Sequence, residues 1–299
     1  MVESIDTKKI LETEARLAEY KGDDQIISSV ELSGILAQTA QKPSINTGFC
    51  ELDGYIGGVE EGELVLITGP TGQGKSLLAQ SMTHNIGSNS SVWFSYELTY
   101  RQFMGKFGNS PVIFYIPQKL ISSSIDWIEE RLWESKLKYQ TKFCFIDHLH
   151  YLVDMEKIRN VSLDVGSVLR KIKRLAIKHN FVIFLIAHLR KVNIDEKEPD
   201  IDDVRDSSFC GQEPDTVIAV WRHKDKTSKE LLTTATVKVL KSRKTGNVGQ
   251  KIKVVKTGLF LEEYNDYKNG TEIKEKAFMG SVDGNEGKGG ISEQTDFLF

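Results

Sequence analysis

Eight consecutive residues, Gly69-Pro70-Thr71-Gly72-Gln73-Gly74-Lys75-Ser76, satisfy every fixed position of the phosphate-binding loop: glycine, four variable residues, glycine, lysine and a hydroxyl. The glycines let backbone N–H groups close around phosphate oxygens, and a helix starting at Lys75-Ser76-Leu77 turns its positive end toward them. The Lys75 ammonium is expected to reach the β- and γ-phosphates, and the Ser76 hydroxyl to hold Mg²⁺. The expected substrate is a magnesium nucleoside triphosphate, ATP or dTTP.

Three further polar residues stand directly after apolar runs, where an open parallel sheet presents its site. Asp147 follows Phe143-Cys-Phe-Ile146 and is the expected carboxylate for Mg²⁺, acting through water. Glu97 follows Val92-Trp-Phe-Ser-Tyr96 and is placed to polarise an attacking water. His188 follows Phe184-Leu-Ile-Ala187, where an imidazole can feel the γ-phosphate and its loss; position alone fits a core histidine equally well. His148 and His150 share a strand face at i, i+2, but no third ligand is evident and no metal is assigned to them.

Such residues need elements to position them. Leu64-Val-Leu-Ile-Thr68 stops at Gly69, and runs of the same kind recur at Val92–Ser95, Phe143–Ile146, Phe181–Ile186 and Thr216–Val220. An amphipathic stretch runs from Lys75 to about Asn85. Another, Val168–His179, has Val168, Leu169, Ile172, Leu175 and Ala176 at helical spacing. Buried strands alternating with helices predict an α/β fold, a largely parallel sheet with helices on both faces. From Thr233 to Glu262 the pattern changes to strand-turn-strand, with Gly246 and Gly258 marking hairpin turns. Residues 1–21 predict a charged helix with Ile5, Leu11, Ala15 and Ala18 on one face, too polar to form a core alone. Residues 22–47, ending in Lys42-Pro-Ser-Ile-Asn46, read as a linker.

Composition bounds the class. A chain of 299 residues, 39% hydrophobic and 27% charged, is an ordinary soluble mix able to bury a sizeable core. Its longest apolar runs are too short to cross a bilayer, so no membrane partner is expected. Cys50, Cys144 and Cys210 form no Cys-x-x-Cys pair, which argues against a disulfide scaffold or zinc finger and for a reducing compartment. The net charge of −3 excludes a globally basic protein, though not a local basic stripe.

Taken in order, several blocks resemble DnaB-type replicative helicases. Thr47-Gly-Phe-Cys-Glu-Leu-Asp53, Gly57-Gly58 and Glu61-Gly-Glu-Leu64 lead into the phosphate loop. Then come Phe145-Ile-Asp147-His148, Ile186-Ala-His188-Leu189-Arg190, Asp203-Val-Arg205-Asp-Ser-Ser208, Gln212-Glu-Pro-Asp215 continuing to Arg222, and Val239-Leu-Lys241-Ser-Arg243-Lys-Thr-Gly246. The set looks most like the helicase half of phage primase-helicases, related to mitochondrial Twinkle. The resemblance implies a RecA-like ATPase domain over residues 48–265, assembled as a ring, usually a hexamer, with nucleotide between subunits. It also implies 5′-to-3′ translocation on single-stranded DNA, and a cytoplasmic protein of phage origin in a bacterial host. By motif match Lys75 and Ser76 bind phosphate and Mg²⁺, Glu97 activates water, Asp147 holds the metal, and His188 senses the γ-phosphate. Lys241 and Arg243 match a pair inserted from the neighbouring subunit, Arg243 as arginine finger, and Arg222 matches an arginine that stacks on the base. Gln212 lies where a glutamine links the sensor region to the DNA loop.

Two departures qualify the match. There is neither a primase half nor an N-terminal helical domain of DnaB type, so primase is expected as a separate partner. The expected DNA loop, 190–206, carries Arg190, Lys191, Lys197 and Arg205 against seven acids; Arg190, Lys191, Arg205 and Gln212 are the DNA-contact candidates. Basic residues gather instead at 222–256, where phosphate tracking would make binding salt-sensitive. Residues 266–299 form a C-terminal extension whose acidic end closes on Phe297-Leu-Phe299. It looks like the tail with which phage primase-helicases hold their DNA polymerase. Two other readings keep the same ATP site: a RecA-like recombinase or recombination mediator, and a non-motor regulatory or loading ATPase.

Overall fold

The computed structural model describes residues 7–22, 25–38, 44–153, 161–189, 197–204, 207–225, 227–228 and 230–264. Two compact units divide it at Ser44/Ile45. The first contains helices α1 (Thr7–Ala18) and α2 (Ser29–Gln38). Helix α2 lies within the stretch expected to be linker. Its start is marked by Ser28, whose hydroxyl accepts from the Glu31 N–H at 3.1 Å, and none of its residues is buried.

The second unit is built on one eight-stranded sheet, ordered β2-β3-β4-β1-β5-β6-β7-β8. The strands are β1 (Leu64–Gly69), β2 (Ser91–Ser95), β3 (Phe143–Asp147), β4 (Val182–His188), β5 (Thr216–Lys224), β6 (Leu231–Ser242), β7 (Lys251–Thr257) and β8 (Phe260–Glu263). The first five pair in parallel, and β6 to β8 add antiparallel. Helices α3 (Cys50–Ile56), α4 (Lys75–Ile86) and α5 (Tyr100–Gly105) precede α6 (Ile125–Tyr139), α7 (Val161–His179) and α8 (Ser207–Gln212).

Every residue of β1 is buried, because successive side chains enter different cores. Leu64 and Leu66 join Ile128, Leu132, Leu169 and Ile172 of α6 and α7. Val65 and Ile67 join Leu52, Leu78, Met82 and Phe103 of α3, α4 and α5. This two-sided burial is why the strands read as continuous apolar runs. Within the second core Trp93 stacks on Phe145 at 4.8 Å between centroids, and its indole N–H donates to Thr83 Oγ1 at 2.9 Å. Ile45 bridges to Val59, so the last residues of the expected linker belong to this unit. Among the described residues no helix is long and apolar enough to cross a membrane.

Candidate nucleotide-binding site

The carboxyl ends of β1, β2, β3 and β4 lie along one edge of the sheet. Gly69, which ends β1, pairs with His188 at the end of β4, and Ser95 pairs with Asp147. The loop after β1 turns into α4 through Gly74, held at φ 105° where a side chain would be strained. A Cβ on Gly69 would lie 2.2 Å from the Val220 carbonyl oxygen, so only glycine fits there. Lys75 is buried, and its ammonium donates to the Pro70 carbonyl at 2.9 Å, curling the loop around its own side chain. Burial lowers the Lys75 pKa to about 8, against the pull of Asp147 and Glu97 in the other direction.

A cavity of about 420 Å³ opens over this loop. Thr71 to Leu77 line its floor, with Glu97, His188 and Arg222 around it. The Ser76 hydroxyl donates to Asp147 Oδ2 at 2.7 Å. Asp147 Oδ1 is buried and has no hydrogen-bond partner among the described residues. A hydroxyl beside a carboxylate with an unmet buried oxygen suits a hard, oxygen-seeking cation such as Mg²⁺. Burial raises the Asp147 pKa, partly offset by the Ser76 hydrogen bond.

Arg222 is fixed on both sides. Its backbone N–H donates to Gln73 Oε1 at 2.9 Å. Its guanidinium donates to the Leu232 and Leu231 carbonyls at 2.8 and 2.9 Å. Lys106, at the C-terminal end of α5, and Lys256 of β7 also line the cavity. No motif announces these two lysines in the sequence; the fold of α5 and the β6–β8 extension brings them there. His188 is joined by His148 and His150, with ring centroids 4.5 and 5.9 Å from its own. Among the described residues, no group of three His, Cys, Asp or Glu is arranged to hold a metal. Burial, with the neighbouring imidazoles and Lys75, lowers the His148 pKa to about 3, so this ring stays neutral near pH 7.

The family model for the DnaB-like helicase C terminal domain matches residues 44–110 and 105–269. The chain belongs to this family. It is 23% identical over 242 residues to the replicative DNA helicase DnaB of Helicobacter pylori strain J99, covering 68% of this chain and 49% of that one. With DnaB of strain 26695 it shares 26% over 212 residues, covering 60% and 43%. The chain thus spans about half the length of these curated relatives. Among solved structures, one isolated ATPase domain superposes with a TM-score of 0.63 at 18% identity, covering 78% of this chain and 96% of that one. A DnaB-like replicative helicase, described with its interactions with primase, gives 0.63 at 17% identity, covering 83% and 69%. The α/β architecture, a mostly parallel sheet covered by helices, is that of these RecA-like ATPase domains.

Not every expected residue of this DnaB-like domain meets at the cavity. Lys241 and Arg243 lie at the far end of β6, where Thr216 pairs with Ser242 at the start of β5. That is the opposite edge of the sheet from Gly69, about 16 Å away along a strand the length of β1. The Lys241 ammonium donates to the carbonyls of Gly211, Gln212 and Pro214 at 2.8, 2.8 and 2.7 Å. All three of its N–H donors are thereby used, and burial lowers its pKa. Its expected part as a phosphate-contacting partner of Arg243 finds no free donor in this arrangement. Gln212 lies at this same edge and is not brought to His188; its carbonyl also accepts from Arg243 Nη2 at 2.9 Å.

The DNA-contact candidates Arg190, Lys191 and Arg205 lie outside the described residues, as does the tail from residue 265 onward. The described acids of the 190–206 segment are engaged. Glu198 meets Lys251 at 2.6 Å and Lys238 at 3.6 Å. The Asp203 carboxylate accepts from the Asp200 N–H at 2.8 Å and meets Lys197 at 3.2 Å. Part of the negative charge that counted against a phosphate cradle is thus paired internally.

Proposed function

We propose that this chain is the motor domain of a replicative DNA helicase: a ring-forming ATPase, hexameric as its family implies, that moves 5′-to-3′ on single-stranded DNA. The observation that carries the reading is the placement of Arg243. It sits on the sheet edge opposite the chain's own phosphate loop, where it can reach a nucleotide only in another copy of the chain.

In the chain's own site, the loop N–H groups and Lys75 bind the triphosphate, Lys75 exchanging its Pro70 carbonyl for phosphate oxygens. Ser76 and Asp147 would hold Mg²⁺, which supplies charge neutralisation of the β- and γ-phosphates. The Glu97 carboxylate orients the attacking water and accepts its proton. His188, at the end of the strand beside β1, reads the γ-phosphate, and Arg222 provides a rigid face for the base. The neighbour's Arg243 stabilises the charge of the transferring phosphoryl group, an effect of about 10³–10⁵ in rate for arginine fingers of GTPases. Primase and DNA polymerase are the proposed partners, the polymerase through the acidic tail. Deletion of residues 281–299 is expected to leave hydrolysis intact and weaken polymerase coupling.

The test is nucleotide hydrolysis against added single-stranded DNA at two salt concentrations, with Lys75→Ala as blank. Strong, salt-sensitive stimulation and unwinding of a forked duplex are expected. Hydrolysis indifferent to DNA would overturn the motor reading, and strand exchange without unwinding would make the chain a recombinase.

A further inference from the structure

Asp215 precedes β5 and its side chain is only 11% exposed. Its two carboxylate oxygens serve different elements. Oδ1 accepts from Arg243 Nη1 at 2.8 Å. Oδ2 accepts from the Leu64 backbone N–H at 2.8 Å and from Lys173 of α7 at 2.6 Å. Lys173 also donates to the Gly62 carbonyl at 2.7 Å, tying α7 to the turn before β1. The main chain repeats the grip: Arg243 N–H donates to the Asp215 carbonyl and Asp215 N–H to the Leu64 carbonyl, at 2.8 and 2.9 Å.

We propose that Asp215 is the positioning residue of the arginine finger, fixing Arg243 in the orientation in which it serves a second copy of this chain. The proposal rests on the reading that Arg243 acts between subunits. One carboxylate stands between two cations, so the cluster keeps a net positive charge and Arg243 is oriented without being neutralised. Among the described residues, Asp215 and the Gln212 carbonyl each take one of the guanidinium's five N–H donors. The remaining donors belong to a side chain that is 53% exposed. The guanidinium is held along one edge and presented along the other. Lys173 acts one step further back, because its charge-assisted bond holds the carboxylate that holds the arginine. Asparagine cannot reproduce this arrangement, because its amide would present N–H groups either to Arg243 or to Lys173 and the Leu64 N–H.

The experiment is hydrolysis by Asp215→Asn, alone and mixed with Lys75→Ala subunits, beside the same pair for Arg243→Ala. Asp215→Asn is expected to lower kcat about 10²-fold, the cost of misplacing a catalytic group by an ångström. KM should stay unchanged, since the nucleotide is bound by the other subunit's loop. Mixing should restore turnover, because a Lys75→Ala subunit offers an intact Asp215–Arg243 pair to an Asp215→Asn subunit's intact loop. Rescue of Arg243→Ala but not of Asp215→Asn would overturn the proposal and place the Asp215 defect within its own subunit. Rescue of neither would overturn the intersubunit reading and the proposal with it. Lys173→Met keeps the test open should Asp215→Asn fail to fold: a loss of about tenfold, one charge-assisted bond, restored by the same mixing, is expected. An unchanged rate, or a loss that mixing does not restore, counts against the positioning role.

Discussion

The Ser76 hydroxyl points into the Asp147 carboxylate, 2.7 Å from Oδ2, and so joins the first turn of α4 to the end of β3. Two residues 71 positions apart are brought together because β1 and β3 both flank β4, which sets the carboxyl end of each strand beside the phosphate loop. Asp147→Asn keeps an oxygen for the Ser76 hydrogen bond and loses the charge. Nucleotide binding without magnesium should change little, while magnesium-dependent hydrolysis falls at least about 10²-fold. A magnesium titration of binding and of turnover separates the two; equal losses in both would make Asp147 structural.

Gly69 is a steric requirement. Alanine would set a Cβ 2.2 Å from the Val220 carbonyl oxygen, and backbone on both sides of the clash must shift. Gly69→Ala should destabilise the fold by about 2 kcal/mol, typical of overpacking, and move the loop enough to weaken nucleotide binding. Thermal unfolding together with a fluorescent-nucleotide titration checks both; a variant of native stability that binds normally would contradict the close approach.

Gln73 ties the crest of the phosphate loop to β5 by accepting the Arg222 backbone N–H at 2.9 Å. Gln73→Ala removes that tether and leaves Arg222 held by Leu231 and Leu232. KM should rise about fivefold, the worth of one hydrogen bond near 1 kcal/mol, with kcat nearly unchanged. A fall in kcat at constant KM would instead show that the tether acts on the transition state.

Glu129 of α6 accepts from Lys178 and His179 of α7, at 2.6 and 2.8 Å. The Lys178 hydrogen bond, followed by that of His179, holds its carboxyl below the ordinary glutamate value of 4.5. A folded pKa below the unfolded one gives stability that is full above about pH 4.5 and lost as pH falls through the folded value. Lys178 is 66% exposed, so the contribution is about 0.5–1 kcal/mol. Urea unfolding of wild type and Glu129→Gln should differ by that amount at pH 7 and converge in acid, below the folded pKa; a gap that persists there would locate the effect in packing.

The sheet and the phosphate loop are legible in the sequence because each rests on local signals. Apolar runs ending at Gly69, Asp147 and His188 report strands buried on both sides, and the loop's glycines report its turn. Helix α6 is harder to see, since only Ile128, Leu132 and Ser135 of its fifteen residues are buried and charges dilute the period. Helix α5 does carry a local mark, the Thr99–Gln102 capping box. Residues gathered by register are hidden from a linear reading. Lys256 reaches the cavity, and Arg243 the opposite edge, through the antiparallel pairing of β5 to β7, which no motif encodes.

Strand β6 has twelve residues, about 37 Å end to end. Its first carbonyls hold Arg222 over the chain's own cavity, and its last residue leads into Arg243. In the proposed ring it is therefore a ruler: the separation between the nucleotide a subunit binds and the one it helps to cleave is written into the length of one strand. Inserting two residues into β6 would preserve every side chain's facing and move the finger by about 7 Å. The lattice of active sites would then lose its spacing while each subunit kept its fold.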